Sequence, residues 1–265
     1  MNRLLIPALG ALALSACAME PNAGRYPPPA VSSEEAGTGQ ANRAAIAAAV
    51  ADTARPQADR DRDANRHPAE TLAFARVAPG ERIVDLLPGG GYFTRLFARA
   101  VGSEGRVYAY LPDGAPEQYV ASIQPVVGAA NGYGNVSLLR GTLAAFAPGE
   151  PVDLVFTAQN YHDLHNTPAD IAAYNRHVFE MVRPGGLYVI IDHSAVDGAP
   201  MMVTRELHRI DQAVVRREVE AAGFVFDGES PMLRNAADPR TATVFDPSIR
   251  GHTDQFAMRF RRPLP

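Results

Sequence analysis

Two short polar runs carry the residues best suited to chemistry: Gln159-Asn160-Tyr161-His162-Asp163-Leu164-His165-Asn166 and Asp192-His193-Ser194. Each sets an imidazole, which titrates near neutrality, beside a carboxylate able to fix its tautomer. His162 or His193 is therefore a candidate general base, with Asp163 or Asp192 as the orienting acid. A metal reading stays open, because His162, His165, Asp192 and His193 are acceptable ligands for zinc or another divalent ion. Ser194 is a poor nucleophile, since no Gly-x-Ser-x-Gly elbow surrounds it. A third feature is Pro88-Gly89-Gly90-Gly91-Tyr92. Three consecutive glycines cost more backbone entropy than a turn requires. Backbone N–H groups at a helix start, with no side chain in the way, admit a ligand closely.

Composition removes several alternatives. The chain has 265 residues, with 25 basic against 29 acidic side chains and a formal charge of −4, so no basic surface for nucleic acid is implied. Every basic residue is Arg, which excludes a Schiff-base lysine and a P-loop. A single cysteine, Cys17, excludes an intrachain disulfide and a thiolate zinc cluster.

The elements that must position the polar runs alternate between strand and helix. Apolar runs at 82–87, 106–110, 136–139, 152–156, 187–191, 224–226 and 256–260 read as strands. Between them, Gly91 opens a helix that Gly102 stops, and Pro116 begins another that runs to about 127. Thr167-Pro168-Ala169-Asp170 has the form of a capping box, and 204–222 reads as one long helix closed by Gly223. On that helix His208 and Asp211 lie one turn apart, opposite Leu207, Ile210 and Val214, and either face the cleft or form an exposed helix face. The pattern predicts an α/β fold: a doubly wound, mostly parallel seven-stranded sheet in a single domain, with ligands at the strands' carboxyl ends. Both polar runs and the glycine turn fall at such ends.

The domain begins at about residue 67. Ahead of it, 1–16 combine one positive charge with a short apolar run, too short for the about 20 residues a bilayer-spanning helix needs, and read as a secretory signal. Leu14-Ser15-Ala16-Cys17 resembles a bacterial lipobox, which implies a diacylglyceryl group on Cys17. Ala18 after the cysteine implies the outer membrane facing the periplasm. The partner expected at this end is thus a membrane, reached through the lipid. Residues 17–40 read as a flexible tether, and 41–66 as a helical extension. Within that extension the alternating charges of 59–67 read as a solvated helix face.

The order of motifs across 67–265 resembles the class I S-adenosylmethionine-dependent methyltransferases, with their Rossmann-like fold. Val84-Asp85-Leu86-Leu87-Pro88-Gly89-Gly90-Gly91 is similar to their first motif, Asp153-Leu154-Val155-Phe156 to their fourth strand, and Arg183-Pro184-Gly185-Gly186-Leu187 to the turn before their fifth. Ala221-Ala222-Gly223-Phe224 resembles the run into their sixth. Arg66-His67-Pro68-Ala69-Glu70, Pro88 to Tyr92, and Phe245-Asp246-Pro247 resemble a bacterial group of predicted methyltransferases. The resemblance implies S-adenosylmethionine as cofactor, held by Asp85, Pro88, Gly89, Gly90, Gly91, Tyr92 and Asn160, and a small-molecule acceptor. It also implies that Arg250 and Asp254, in the segment before the last strand, face the acceptor, a salt bridge being the equal alternative for Arg250. Arg66 and His67 belong either to a lid over the cofactor or to a helix start.

The sequence departs from that family at three places. Leu87 stands where the family has glycine. Tyr110 or Leu111 stands where it has the ribose-binding acid, with Asp113 two residues late. Arg140-Gly141-Thr142 replaces the acid after the third strand. Tyr110 stacking on adenine and Thr142 accepting a hydrogen bond are the expected substitutes. Two other functions stay open: an envelope lipoprotein that kept the fold and binds another ligand without catalysis, and a metal-dependent hydrolase using the His/Asp rim.

Overall fold

The computed structural model describes residues 33–128 and 133–265. The expected signal segment 1–16 and Cys17, the expected lipidation site, lie outside the described residues. The chain runs through α1 (Ser33–Val50), α2 (Gln57–Arg60), α3 (Asp63–Arg66), α4 (Pro68–Phe74), β1 (Arg82–Leu86), α5 (Tyr92–Val101), β2 (Arg106–Tyr110), α6 (Glu117–Ile123), β3 (Val136–Leu139) and β4 (Val152–Ala158). It continues through α7 (Tyr161–Leu164), α8 (Ile171–Met181), β5 (Val182–His193), α9 (Val203–Glu206), α10 (Gln212–Ala221), β6 (Val225–Ser230) and β7 (Gln255–Arg261).

All seven strands join one sheet in the order β3-β2-β1-β4-β5-β7-β6, parallel except for β7, which runs antiparallel to both neighbours. Side chains of a strand alternate between faces, and both faces are covered. Ile83, Val107, Ala109, Leu154, Phe156, Val189 and Ile191 point into a core beneath α1, α4 and α5. Val84, Leu86, Tyr110, Val155, Tyr188 and Ile190 point into a second core beneath α8 and α10. Burial on both sides explains why the strands read as continuous apolar runs.

Four expectations fail, three of them on long-range packing. The helix α1 begins at Ser33, so residues 33–40 of the expected tether are helical, and its Ile46 and Ala49 are buried against the domain. The charged stretch 59–67 is not a solvated face. Asp59 is buried and accepts from Arg95 at 2.8 Å, while Asp63 accepts from Arg55 at 2.6 Å and from the Tyr92 hydroxyl at 2.6 Å. These pairs clamp α2 and α3 onto α5. The cap of α8 is Asp170, which accepts from Ala173 N at 2.9 Å, rather than Thr167. Finally, 204–222 is not one helix. It breaks between α9 and α10, where Ile210 bridges to Ser194 beside β5 and Asp211 caps α10 through Ala213 N. Ordering a buried bridge there outweighs continuing the helix.

Candidate functional site

The carboxyl ends of β1 and β4 lie side by side, since Leu86 pairs with Thr157. Past Leu86 the chain enters the left-handed region at Leu87 (φ 54°), Gly89 (φ 56°) and Gly91 (φ 80°) before α5 begins. The three glycines divide between two jobs. A Cβ on Gly91 would stand 2.6 Å from Val126 Cγ2 and 2.9 Å from Ile123 Cδ1, so this glycine is needed for packing. A Cβ on Gly89 or Gly90 would meet nothing within 4 Å. Their open side faces a cavity of about 150 Å³, lined by Asp85, Pro88, Tyr92, Gln159 and Asn160, with Arg62 and Arg66.

The charges around this cavity are unequal. Asp85, on β1, is fully buried and accepts from the Thr94 hydroxyl at 2.6 Å. Burial pushes its carboxyl up to about 7, against the pull of that hydrogen bond and of Arg66. Arg66 donates to Gln159 Oε1 at 2.7 Å and lies over the Tyr92 ring at 4.9 Å, with Arg62 over the same ring at 5.3 Å. Burial and the like charge of Arg62 push Arg66 down to about 10. Among the described residues neither guanidinium makes a salt bridge, so the cavity favours an anionic group. Of the expected alternatives the helix start is present, since His67 is the N-cap of α4 and Pro68 its first residue, with Arg66 ending α3. His67 turns away, with φ 43°, toward a cavity it shares with Asn235 and His252.

A second cavity of about 280 Å³ adjoins the first across Leu87, Gly89 and Asn160, which line both. Its other walls are mostly apolar: Leu111, Pro112, Tyr119, Leu143 and Leu164, with Asp163 and Thr167 at one side. Asn160 holds the partition by donating to the Leu87 carbonyl at 3.1 Å and the Ala158 carbonyl at 2.7 Å. Leu87 thus borders both a polar and an apolar chamber.

Two expected cofactor contacts are not brought to either chamber. Tyr110 pairs with Leu86, so its ring points to the α8 face, where it stacks on Phe146 at 3.8 Å. Thr142 is exposed and lines neither cavity; Leu143 takes the place beside the apolar chamber. Asp113 is likewise exposed, near Arg140 at 3.9 Å.

The two histidines expected as bases part company because neighbouring residues on β5 face opposite ways. Asp192 points toward α7 and accepts from His162 N at 2.7 Å, His162 Nδ1 at 2.8 Å and His193 N at 2.8 Å. Burial opposes its charge, but the His162 interactions hold this carboxyl below its usual range. An ionised carboxylate only accepts, so His162 donates from Nδ1 to Asp192, and its Nε2 lies 3.4 Å from Asp163 Oδ1. Burial works against the imidazolium, yet Asp192 outweighs it and raises His162 above the ordinary 6.5. His193 is pushed down to about 4 by burial, and its Nδ1 lies 2.7 Å from the Thr253 hydroxyl. Of the two, His162 has the oriented, available nitrogen.

The expected ligand set His162, His165, Asp192 and His193 is not assembled. His165 Nε2 is 3.1 Å from Glu218, and the oxygens of Asp192 are engaged by the donors just named. His208, for which an exposed helix face was the preferred expectation, comes to this rim instead. Freed by the break between α9 and α10, it adopts φ 54° and sets Nδ1 3.6 Å from Asp163 Oδ1, its ring edge-on to His162 at 5.5 Å. One signal was available: Asp211-Gln212-Ala213-Val214 is itself a helix start, so the helix preceding it had to end.

On the acceptor side, Arg250 is exposed, and among the described residues its side chain makes no ion pair. Asp254 is buried and structural, accepting from Asn235 N at 2.8 Å and pairing with Arg240 at 3.0 Å and Arg234 at 3.1 Å. Ser194 is buried, its hydroxyl 3.2 Å from Arg234.

No family model matches the sequence. The structure is similar to the crystal structure of an S-adenosylmethionine-dependent methyltransferase from Aquifex aeolicus, at 19% identity over 73% of this chain and 88% of that one, with a TM-score of 0.52. A putative sarcosine dimethylglycine methyltransferase from Galdieria sulphuraria is similar at 16% identity over 76% and 85%, TM-score 0.54. An S-adenosylmethionine-dependent methyltransferase from Mesorhizobium loti is similar at 17% identity over 76% and 100%, TM-score 0.53. At such identities the likeness establishes a shared fold.

Proposed function

We propose that this protein is an S-adenosylmethionine-dependent methyltransferase acting on a small-molecule acceptor, with its cofactor spanning the paired chambers at the ends of β1 and β4. The observation that carries the reading is the match of that pair to an amphiphilic ligand: guanidiniums without a salt bridge among the described residues and an open glycine turn on one side, an apolar pocket on the other. When bound, the cofactor supplies an electrophilic methyl group on a sulfonium.

Each residue then has a physical task. Arg66 and Arg62 bind the methionyl carboxylate, a charge-assisted contact whose geometry favours Arg. Gly89 and Gly90 let the backbone approach the ligand without a Cβ in the way. Leu111, Pro112, Tyr119 and Leu143 bury the adenine, in place of the acids that Leu111 and Thr142 lack. Asn160 fixes Leu87 at the waist between the chambers, where the sulfonium would sit. The acceptor approaches from the rim of His162 and Asp163, where Asp192 behind His162 holds the imidazole in one tautomer. Orientation of two bound reactants is the main source of rate in such a displacement.

Calorimetric titration of the purified protein with S-adenosylmethionine and S-adenosylhomocysteine tests the reading. Micromolar binding is expected, weakened by about tenfold or more in Arg66→Gln. Methylthioadenosine, which lacks the carboxylate, should bind both proteins alike. No heat at millimolar ligand would overturn the proposal.

A further inference from the structure

Asp163, His162 and His208 come from α7 and from the turn between α9 and α10. Their ligand atoms all lie within 4.8 Å of one another. The two shorter edges are 3.4 Å from His162 Nε2 and 3.6 Å from His208 Nδ1, each to Asp163 Oδ1. Both are too long for hydrogen bonds, which run to about 3.2 Å. They fit a different arrangement. Around an ion with bonds of about 2.0–2.2 Å, tetrahedral ligand atoms stand about 3.3–3.6 Å apart.

We propose that His162, Asp163 and His208 hold a divalent transition-metal ion, with zinc as the reference case. Three features beyond proximity support the site. His162 is backed by a carboxylate, since Nδ1 donates to Asp192 at 2.8 Å and Nε2 is left to the ion, the usual second layer of a metal-binding histidine. His208 occupies a left-handed conformation (φ 54°) that a non-glycine residue adopts at a cost. That strain is held in place by the bridge from Ile210 to Ser194 and by Val244 N donating to the Leu207 carbonyl at 3.1 Å. The Phe245 ring packs edge-on against His208 at 4.8 Å.

The site has three protein ligands and an open face. The Asp163 side chain is 48% exposed and that of His208 32% exposed, so a fourth position is free for water or an acceptor's oxygen. Three ligands with one position left open is the pattern of a catalytic rather than a structural zinc site. The ion would lie beside the apolar chamber, because Asp163 lines it. An acceptor carrying a hydroxyl or carboxylate would then be oriented by the metal. Two histidines and one carboxylate also suit iron(II) and its neighbours.

The test uses the full protein, stripped of metal by chelation and titrated with Zn²⁺ in competition with a chromophoric chelator, then with Co²⁺. One ion per chain and a visible cobalt spectrum with nitrogen and oxygen ligands are expected. His208→Asn, which tolerates the left-handed turn, and Asp163→Ala should each weaken binding by about 100-fold. His252→Ala, on a different cavity, should change nothing, and unchanged thermal midpoints show that the variants are folded. Binding below one equivalent, or the same affinity in His208→Asn, would overturn the proposal. No cofactor is present in the titration, so its outcome is separate from that of the cofactor reading.

Discussion

Replacing Asp85 by Asn sets the energetics of the fold against the needs of its site. The carboxyl is fully buried and lifted from 3.8 to about 7. A raised acid contributes stability that is complete below the unfolded value and disappears as pH rises through the folded one. Moving a carboxyl across that interval corresponds to about 4 kcal/mol, reached by about pH 8, of which roughly 1.5 kcal/mol is already lost at pH 5. Asn is nearly isosteric, can accept the Thr94 hydrogen bond through its amide oxygen, and does not ionise. The stability gap between Asp85→Asn and the native protein should therefore widen in the variant's favour by about 2.5 kcal/mol between pH 5 and pH 8.5. Urea unfolding at the two pH values measures it, as a midpoint difference on the order of 1 M. A constant offset from the amide cancels between the two pH values, as do the titrations of Glu81 and the histidines. A gap that does not change with pH would refute the claim that Asp85 is held in the fold at a cost.

The neighbouring positions give sharper contrasts. Gly91→Ala drives a Cβ against Val126 in a left-handed turn and should destabilise by about 2–4 kcal/mol, while Gly90→Ala should leave the thermal midpoint unchanged and weaken binding of S-adenosylhomocysteine. Leu87→Gly relieves a left-handed leucine and joins the two chambers, so calorimetry should show S-adenosylhomocysteine binding tightened by about tenfold. Arg209→Met leaves Asp238 buried without its partner, now at 2.9 Å, and should cost about 3–5 kcal/mol in chemical denaturation at neutral pH.

Much of the fold was legible in the sequence because its strands are buried on both faces. Runs such as Ile83-Val84 and Val189-Ile190-Ile191 therefore had to be apolar whichever way they pointed. The glycine turn was legible as a turn, but which glycine packs and which faces open space depends on Val126 and Ile123, residues on a different element. Face assignment was equally out of reach: Tyr110 sits beside the expected site in sequence, yet its register with Leu86 turns it to the opposite core. The same limit hid the placement of His208. Leu207, Ile210 and Val214 keep helical spacing, and only the bridge of Ile210 to Ser194 breaks it. In the stretch 59–67 the signs of the charges were plain, while their partners Arg55, Tyr92 and Arg95 were set by tertiary packing.

The central claim is that one ligand bridges the polar and apolar chambers past Leu87. A crystal structure of the protein with S-adenosylhomocysteine tests it most directly. The account predicts the carboxylate within hydrogen-bond reach of Arg66, the sulfur beside Leu87 and Asn160, and the adenine between Leu111 and Leu143. A ligand bound elsewhere, or reversed so that the adenine lies against Arg66, would contradict it.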